Sequence, residues 1–302
     1  MRLIMTLLVR DEEAIVRENI EYHLDRGVDF IIATDNLSRD GTADILREYE
    51  RAGVLRYLHE AGDDHSQDLW VSRMADLATT EHGADWLIHV DADEFWWPET
   101  DTDLRRAFLR IPSDLPAILV PRCNFIRASG APESFQPGSF HRALRWRERD
   151  SLNPLGQPLP GKVAHRGLPE VALDSGNHGL RIAGRRPHLP RCESLTVFHF
   201  PLRDVDQYRS KIRHGATALE RNTRLHKSVG ITWRELLRLE QAGTLEAHLQ
   251  SQLPGTEEIA RRVESGELVP DLRFACHMDA LLARKATPAE PVLPSAGAGA
   301  AM

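Results

Sequence analysis

An α/β fold, with a mainly parallel sheet, helices on both faces and further helices toward the C-terminal end, is predicted by two features of this sequence. Short apolar runs alternate with segments of helical spacing from Leu3 to Pro121, the order that builds a parallel sheet. One run, Asp85-Trp86-Leu87-Ile88-His89-Val90-Asp91-Ala92-Asp93-Glu94-Phe95-Trp96-Trp97-Pro98, passes from a strand of the kind buried on both faces straight into three acids within four residues.

The elements follow in order. Leu3 to Val9 reads as the first strand, and Asp11-Glu12-Glu13 opens a helix whose positive end suits acids. Val16, Ile20 and Leu24 share one face of that helix, and Gly27 closes it. Phe30 to Thr34 is a second strand, running into the polar turn Asp35 to Thr42 and a helix with Ile45, Leu46 and Tyr49 that ends at Gly53. Val54 to Leu58 is a third strand, and Ser66 to Thr80 a helix with Trp70, Met74 and Leu77 turned inward. The acid-tipped run comes next as the central strand, and Pro98 bars its simple continuation.

A helix from about Leu104 and a strand at Ala117 to Val120 extend the unit. Residues 122–195 are loop-rich, with strand-like pieces at Lys162 to His165 and, beyond, Leu195 to Phe200; they read as the remaining half of the same sheet. Val205, Tyr208, Ile212, Ala216 and Leu219 keep helical spacing, and helices are expected at Thr232 to Gln241, Glu246 to Gln252 and Glu257 to Ser265. The expected division is an α/β domain at 1–225, a C-terminal helical extension at 226–286 and a disordered Pro/Ala/Gly-rich tail at 287–302.

Composition narrows the function. A chain of 302 residues suffices for one large α/β domain. A net charge of −7 argues against nucleic acid as a partner, because phosphate binding needs a basic face. The cysteines are Cys123, Cys192 and Cys276, with no Cys-x-x-Cys pair; a reducing, cytoplasmic setting is therefore expected. The apolar run at the N-terminus is too short for a signal peptide or a spanning helix, so no membrane span is expected.

The acids carry the chemistry. Period-2 geometry puts Asp91 and Asp93 on one side of the strand end. Like charges at the mouth of an apolar core call for a cation between them. A set of oxygen donors suits Mg2+ or Mn2+ rather than zinc. Acid-rich strand ends also serve as helix caps and turn formers; the buried strand before and the aromatic cluster after favour the metal. The turns after Val9, at Asp35 and at Asp91 all fall at the carboxyl edge, where open α/β sheets bind ligands.

Three segments, Leu7-Leu8-Val9-Arg10-Asp11-Glu12-Glu13, Thr34-Asp35-Asn36-Leu37-Ser38-Arg39-Asp40-Gly41-Thr42 and His89-Val90-Asp91-Ala92-Asp93-Glu94-Phe95, resemble in this order the family 2 type glycosyltransferases of GT-A-like, Rossmann-like fold. The branch most similar has an Asp-x-Asp-Glu-Phe signature and a later His-Phe-Pro, here His199-Phe200-Pro201. The resemblance spans roughly residues 3–215.

The resemblance implies transfer of a sugar, with inversion, from a nucleoside-diphosphate sugar to a saccharide or lipid-linked acceptor. Asp91, Ala92 and Asp93 match the family's Asp-x-Asp, which holds Mn2+ or Mg2+ on the donor diphosphate and contacts the ribose. A cation there stabilises the charge that develops on the leaving group. Asp35 and Asn36 match the pair that reads base and ribose, with Asn36 in place of a second acid, and Val9 and Arg10 match residues lining the nucleotide pocket. His199 is the implied further metal ligand, with His178 behind it and a purely structural role as the alternative.

Lys162 and Arg166 are candidates to meet the diphosphate or an anionic acceptor, though their pattern also fits a solvated loop. The family's usual Glu-Asp pair is absent, and Asp174, then Glu170, are the candidates for general base, both also good turn formers. Trp96 and Trp97 are the candidates to stack on sugar or base, with Trp70 assigned to the core. Two alternatives stand beside this reading. A nucleotidyltransferase would carry a Gly-rich basic loop where this chain has Arg10-Asp11-Glu12-Glu13, and a nucleotide-sugar-binding protein without turnover would need no base.

Overall fold

The apolar runs become the strands of a twisted sheet. In the computed structural model, which describes residues 1–286 apart from 133, 134, 136, 137, 227 and 228, β1 (Leu3–Val9), β2 (Phe30–Asn36), β3 (Leu55–Glu60) and β4 (Trp86–Asp91) lie parallel. Their connections are α1 (Val16–Asp25), α2 (Thr42–Arg51) and α3 (Gln67–Thr80). The tail expected at 287–302 lies outside the described residues.

Residues 94–126 add β5 (Glu94–Pro98), α4 (Leu104–Leu109), β6 (Ala117–Val120) and β7 (Arg122–Ile126). They are followed by α5 (Phe140–Ala143), β8 (Trp146–Glu148), β9 (Lys162–Arg166), β10 (Val171–Leu173), β11 (Leu180–Ile182) and β12 (Leu195–His199). The first sheet runs β3-β2-β1-β4-β9-β6, with β9 antiparallel to both its neighbours. The α/β class, a mainly parallel mixed sheet with helices, is thus the one expected.

Residues 122–195 do not simply extend that sheet. Apart from β9 they build a second one and the β10–β11 hairpin, and the second sheet, with β13 (Leu268–Pro270), runs β13-β8-β7-β12-β5. The chain leaves β4, turns at Ala92-Asp93 and enters the second sheet directly as its edge strand β5. Pro98 ends that edge, where a missing N–H breaks no inner ladder.

Against the second sheet, beside α1, lies an aromatic core. Phe95, Phe198, Phe200 and Phe274 pack closely, the rings of Phe95 and Phe274 4.6 Å apart. Trp96 is fully buried and Trp97 is stacked on Phe198 at 5.2 Å. Each such side chain stabilises the fold by about 1.5–3 kcal/mol.

The stretch expected as a helical extension carries α7 (Ile231–Gln241), α8 (Leu245–Ser251), α9 (Thr256–Glu264) and α10 (Arg273–Ala286), following α6 (Val205–Arg221), with the strand β13 between the last two. It also feeds the main core, since α10 supplies Phe274, Met278 and Leu281. No helix among the described residues is long and apolar enough to cross a membrane.

Candidate active site

The carboxyl ends of β1 and β4 open into a cleft of about 690 Å3, walled by the end of β7, the residues after β12, and α6 to α8. Val9, Arg10, Asn36, Asp91, Ala92, Asp93 and His199 line it together, so most of the residues singled out from the motifs do converge.

The acid turn is held from beneath. Asn19 of α1 donates from Nδ2 to the carbonyl oxygens of Ala92 at 3.1 Å and Glu94 at 2.8 Å. Phe200 N–H donates to Asp93 O at 2.9 Å, which ties the turn to the end of β12. Asp93 then meets His199, whose Nε2 lies 3.9 Å from its Oδ1.

The tautomer of His199 is fixed by its neighbours. Asn124 spends its amide N–H groups on Glu148 Oε2 (3.1 Å) and Leu152 O (3.0 Å), so its Oδ1 accepts from His199 Nδ1 at 2.8 Å. Nε2 therefore carries no proton and faces a carboxylate oxygen. Burial, then Arg122, push the His199 pKa well below the usual histidine range, which keeps the ring neutral.

Two lone-pair donors facing each other are the arrangement that a divalent cation joins. Mg2+ is commonly bound by only one or two protein side chains and completes its shell with phosphates and water. Asp93 and His199 fit that role. Asp91, which also lines the cleft, fits it less well, because Lys162 Nζ sits on its Oδ2 at 2.6 Å and on Glu94 Oε2 at 2.9 Å, closer than Lys211 Nζ stands to Asp93 Oδ2 at 3.1 Å. Among the described residues, no group of three or more His, Cys, Asp or Glu side chains is gathered as a metal cage.

Lys162 is corrected accordingly. Its side chain is fully buried and outside the cleft lining, so it braces the acids rather than meeting the diphosphate directly. Arg122 NH1 completes this layer on Glu94 Oε1 at 2.8 Å. A second layer surrounds Asp93. Lys211 Nζ bridges Glu12 Oε1 at 2.5 Å and Asp93 Oδ2 at 3.1 Å, and Arg203 reaches Glu12 Oε2 at 3.1 Å. Burial alone would raise the Asp93 pKa, but Lys211 and its other cationic neighbours overcome this and hold it below the usual carboxylate range.

Other expectations shift. Asp35 is buried just beneath the lining, accepting from Ser38 N–H at 3.2 Å and from the Tyr57 hydroxyl at 3.3 Å, while Asn36 reaches the cleft and donates to Gly62 O at 2.6 Å. His178 lines the cleft but gives Nδ1–H to Gly161 O at 2.8 Å. Asp174 is clamped by Arg186 at 2.7 and 3.2 Å, Glu170 is an exposed turn residue with φ of 54°, and Arg166 donates from Nε to Leu115 O at 3.0 Å; none of the three lines the cleft. Trp96 and Trp97 belong to the core; Trp70 is buried, as expected, and of the three it is the one that also lines the cleft.

Sequence reasoning missed Glu12, Asn19, Asn124, Glu148, Arg203 and Lys211. Only Glu12 lay in a motif already singled out; the others are single polar residues with no local pattern.

No family model matches the chain, and no curated protein matches it. Among solved structures, residues 1–349 of TarS from S. aureus align at 12% identity over 83% of this chain and 81% of that one, with a TM-score of 0.39. The same fragment in complex with UDP-GlcNAc aligns at 14% identity over 76% and 69%, TM-score 0.36. Glucosyl-3-phosphoglycerate synthase from Mycobacterium tuberculosis, in complex with Mn2+, UDP-glucose and phosphoglyceric acid, aligns at 18% identity over 76% and 82%, TM-score 0.35. Likenesses of this size carry no argument about function. The fold and cleft by themselves define an α/β protein with an acid-and-histidine site at the carboxyl edge of its sheet.

Proposed function

We propose that this chain is a glycosyltransferase that takes a sugar from a nucleoside-diphosphate donor and passes it, with inversion, to an acceptor hydroxyl. The observation that carries the reading is the convergence of Asp93 and unprotonated His199 in the cleft beyond β1 and β4. The motif resemblance across residues 3–215 supports it.

In this reading the nucleoside lies along Val9, Arg10 and Asn36, with Trp70 offering an aromatic face. Asp93 and His199 would hold Mn2+ or Mg2+, which when bound supplies Lewis-acid stabilisation of the departing diphosphate. Lys211, at the cleft surface, adds a fixed cation on the same side. Neutral His199 leaves its lone pair free, and Asn124 keeps the ring from turning.

Inversion needs a base on the acceptor hydroxyl. Glu148 lines the cleft beside Asn124, and we place the base there in preference to Asp174 and Glu170. Leu152, 47% exposed, and Leu159 add an apolar wall next to it, which suits a lipid-linked acceptor better than a free saccharide. The three free cysteines suit a cytoplasmic setting.

The test is release of the nucleotide, a nucleoside diphosphate from UDP-, GDP- and dTDP-sugars or CMP from CMP-sugars, across a panel of these donors with Mn2+ present. Turnover of one donor, lost in Asp93→Asn, supports the reading; no turnover or binding across the panel overturns it.

A further inference from the structure

We infer that the divalent ion and the diphosphate enter this cleft only as a pair, because the side chains around Asp93 already cancel one another's charge. The inference rests on the donor reading above and deepens it.

The charges can be counted from the contacts. Glu12 and Asp93 are the acids. Lys211 lies 2.5 Å from Glu12 and 3.1 Å from Asp93, and Arg203 lies 3.1 Å from Glu12 and 3.7 Å from Asp93. Two acids face two cations, and His199 adds none. The neighbouring layer repeats the pattern, with Asp91 and Glu94 against Lys162 and Arg122. Among these eight side chains no surplus negative charge remains to attract an ion.

A divalent ion arriving alone would add two positive charges beside Lys211 and Arg203. A diphosphate arriving alone would bring its negative charge beside Glu12 and Asp93. Both events are costly where side chains are largely shielded from water, as Glu12 and Arg203 are here. Together the two ligands nearly neutralise each other. Lys211 sets this balance, since it alone bridges both acids at 3.1 Å or less and also lines the cleft.

The experiment is calorimetric titration of the full chain with Mn2+ alone, pyrophosphate alone, and each with the other present, corrected for the ion–pyrophosphate complex formed in buffer. Each ligand is expected to bind weakly alone and to tighten the other by the same factor, about tenfold or more. Lys211→Met, which leaves a surplus negative charge, should bind Mn2+ alone about tenfold tighter and pyrophosphate alone more weakly, in the sense charge complementarity requires. Arg203→Met should shift both in the same directions and serves if Lys211→Met fails to fold.

Equal Mn2+ affinity with and without pyrophosphate, an unchanged Mn2+ affinity in the folded variants, or no binding by the pair would each overturn the inference. Paired binding without sugar-nucleotide turnover would sink the transferase reading and leave the pairing intact. Sugar-nucleotide turnover without coupling would do the reverse.

Discussion

His199 Nε2 stands 3.9 Å from Asp93 Oδ1, with its proton on the opposite nitrogen and directed to Asn124. Two strands that end far apart in sequence thus present a nitrogen and an oxygen lone pair to one point. His199→Ala should remove most of the ion's affinity, and Asn124→Leu, which takes away only the orienting acceptor, should cost roughly 10–100-fold. Manganese binding in the presence of pyrophosphate measures both. An Asn124→Leu protein that binds the ion as well as wild type would mean that the tautomer is not what matters.

Lys162 is a buried ammonium with two carboxylate partners, Asp91 and Glu94. Lys162→Met leaves both partners without that charge. The expected loss is about 3–5 kcal/mol in urea-induced unfolding. Replacing Glu94 by Gln in the same chain should recover part of it. A loss below about 1 kcal/mol would contradict the bracing role.

Trp97 and Trp70 should separate stability from binding. Trp97 is stacked on Phe198 and covered by the Arg26 guanidinium at 4.3 Å, so Trp97→Ala should lower stability by about 3–5 kcal/mol. Trp70 lines the cleft, and Trp70→Leu should weaken nucleotide binding with a smaller effect on the melting temperature. The opposite ranking would leave Trp70 with a core role alone.

Stability should fall as the medium is acidified below about pH 6.5. Burial pushes the pKa values of His23 and His165 down to about 4, so the unfolded chain takes up protons first and acid favours it. Each ring contributes stability that is fully present above about pH 6.5 and lost progressively toward pH 4, roughly 3 kcal/mol apiece. Asp93, with its lowered pKa, adds loss in the same direction at lower pH. Urea midpoints measured from pH 7.5 to 4.5 check this, and a flat profile would count against buried neutral histidines.

The parallel half of the fold was legible because each strand is a continuous apolar run and each helix shows its own period. Leu3–Val9 and Ala117–Val120 lie where their composition places them. The second sheet was not, since its strands β8 and β13 are three residues each and pair with each other from opposite ends of the last half of the chain. In the site, the Asp-x-Asp spacing and the late His199 were readable. The cations were not, because Lys162 reaches Asp91 across 71 positions and Lys211 reaches Asp93 across 118. Trp96 and Trp97 misled because adjacency to the acids in sequence does not mean facing the cleft: β5 buries its side chains in the main core.

The central claim is that Asp93 and His199 are the ion's protein ligands while Asp91 is not. The most direct measurement is electron paramagnetic resonance of Mn2+ with pyrophosphate on wild type, Asp93→Asn, His199→Ala and Asp91→Asn. The bound-ion signal should vanish in the first two variants and persist in Asp91→Asn; a signal that persists in Asp93→Asn, or is lost only in Asp91→Asn, would contradict the account.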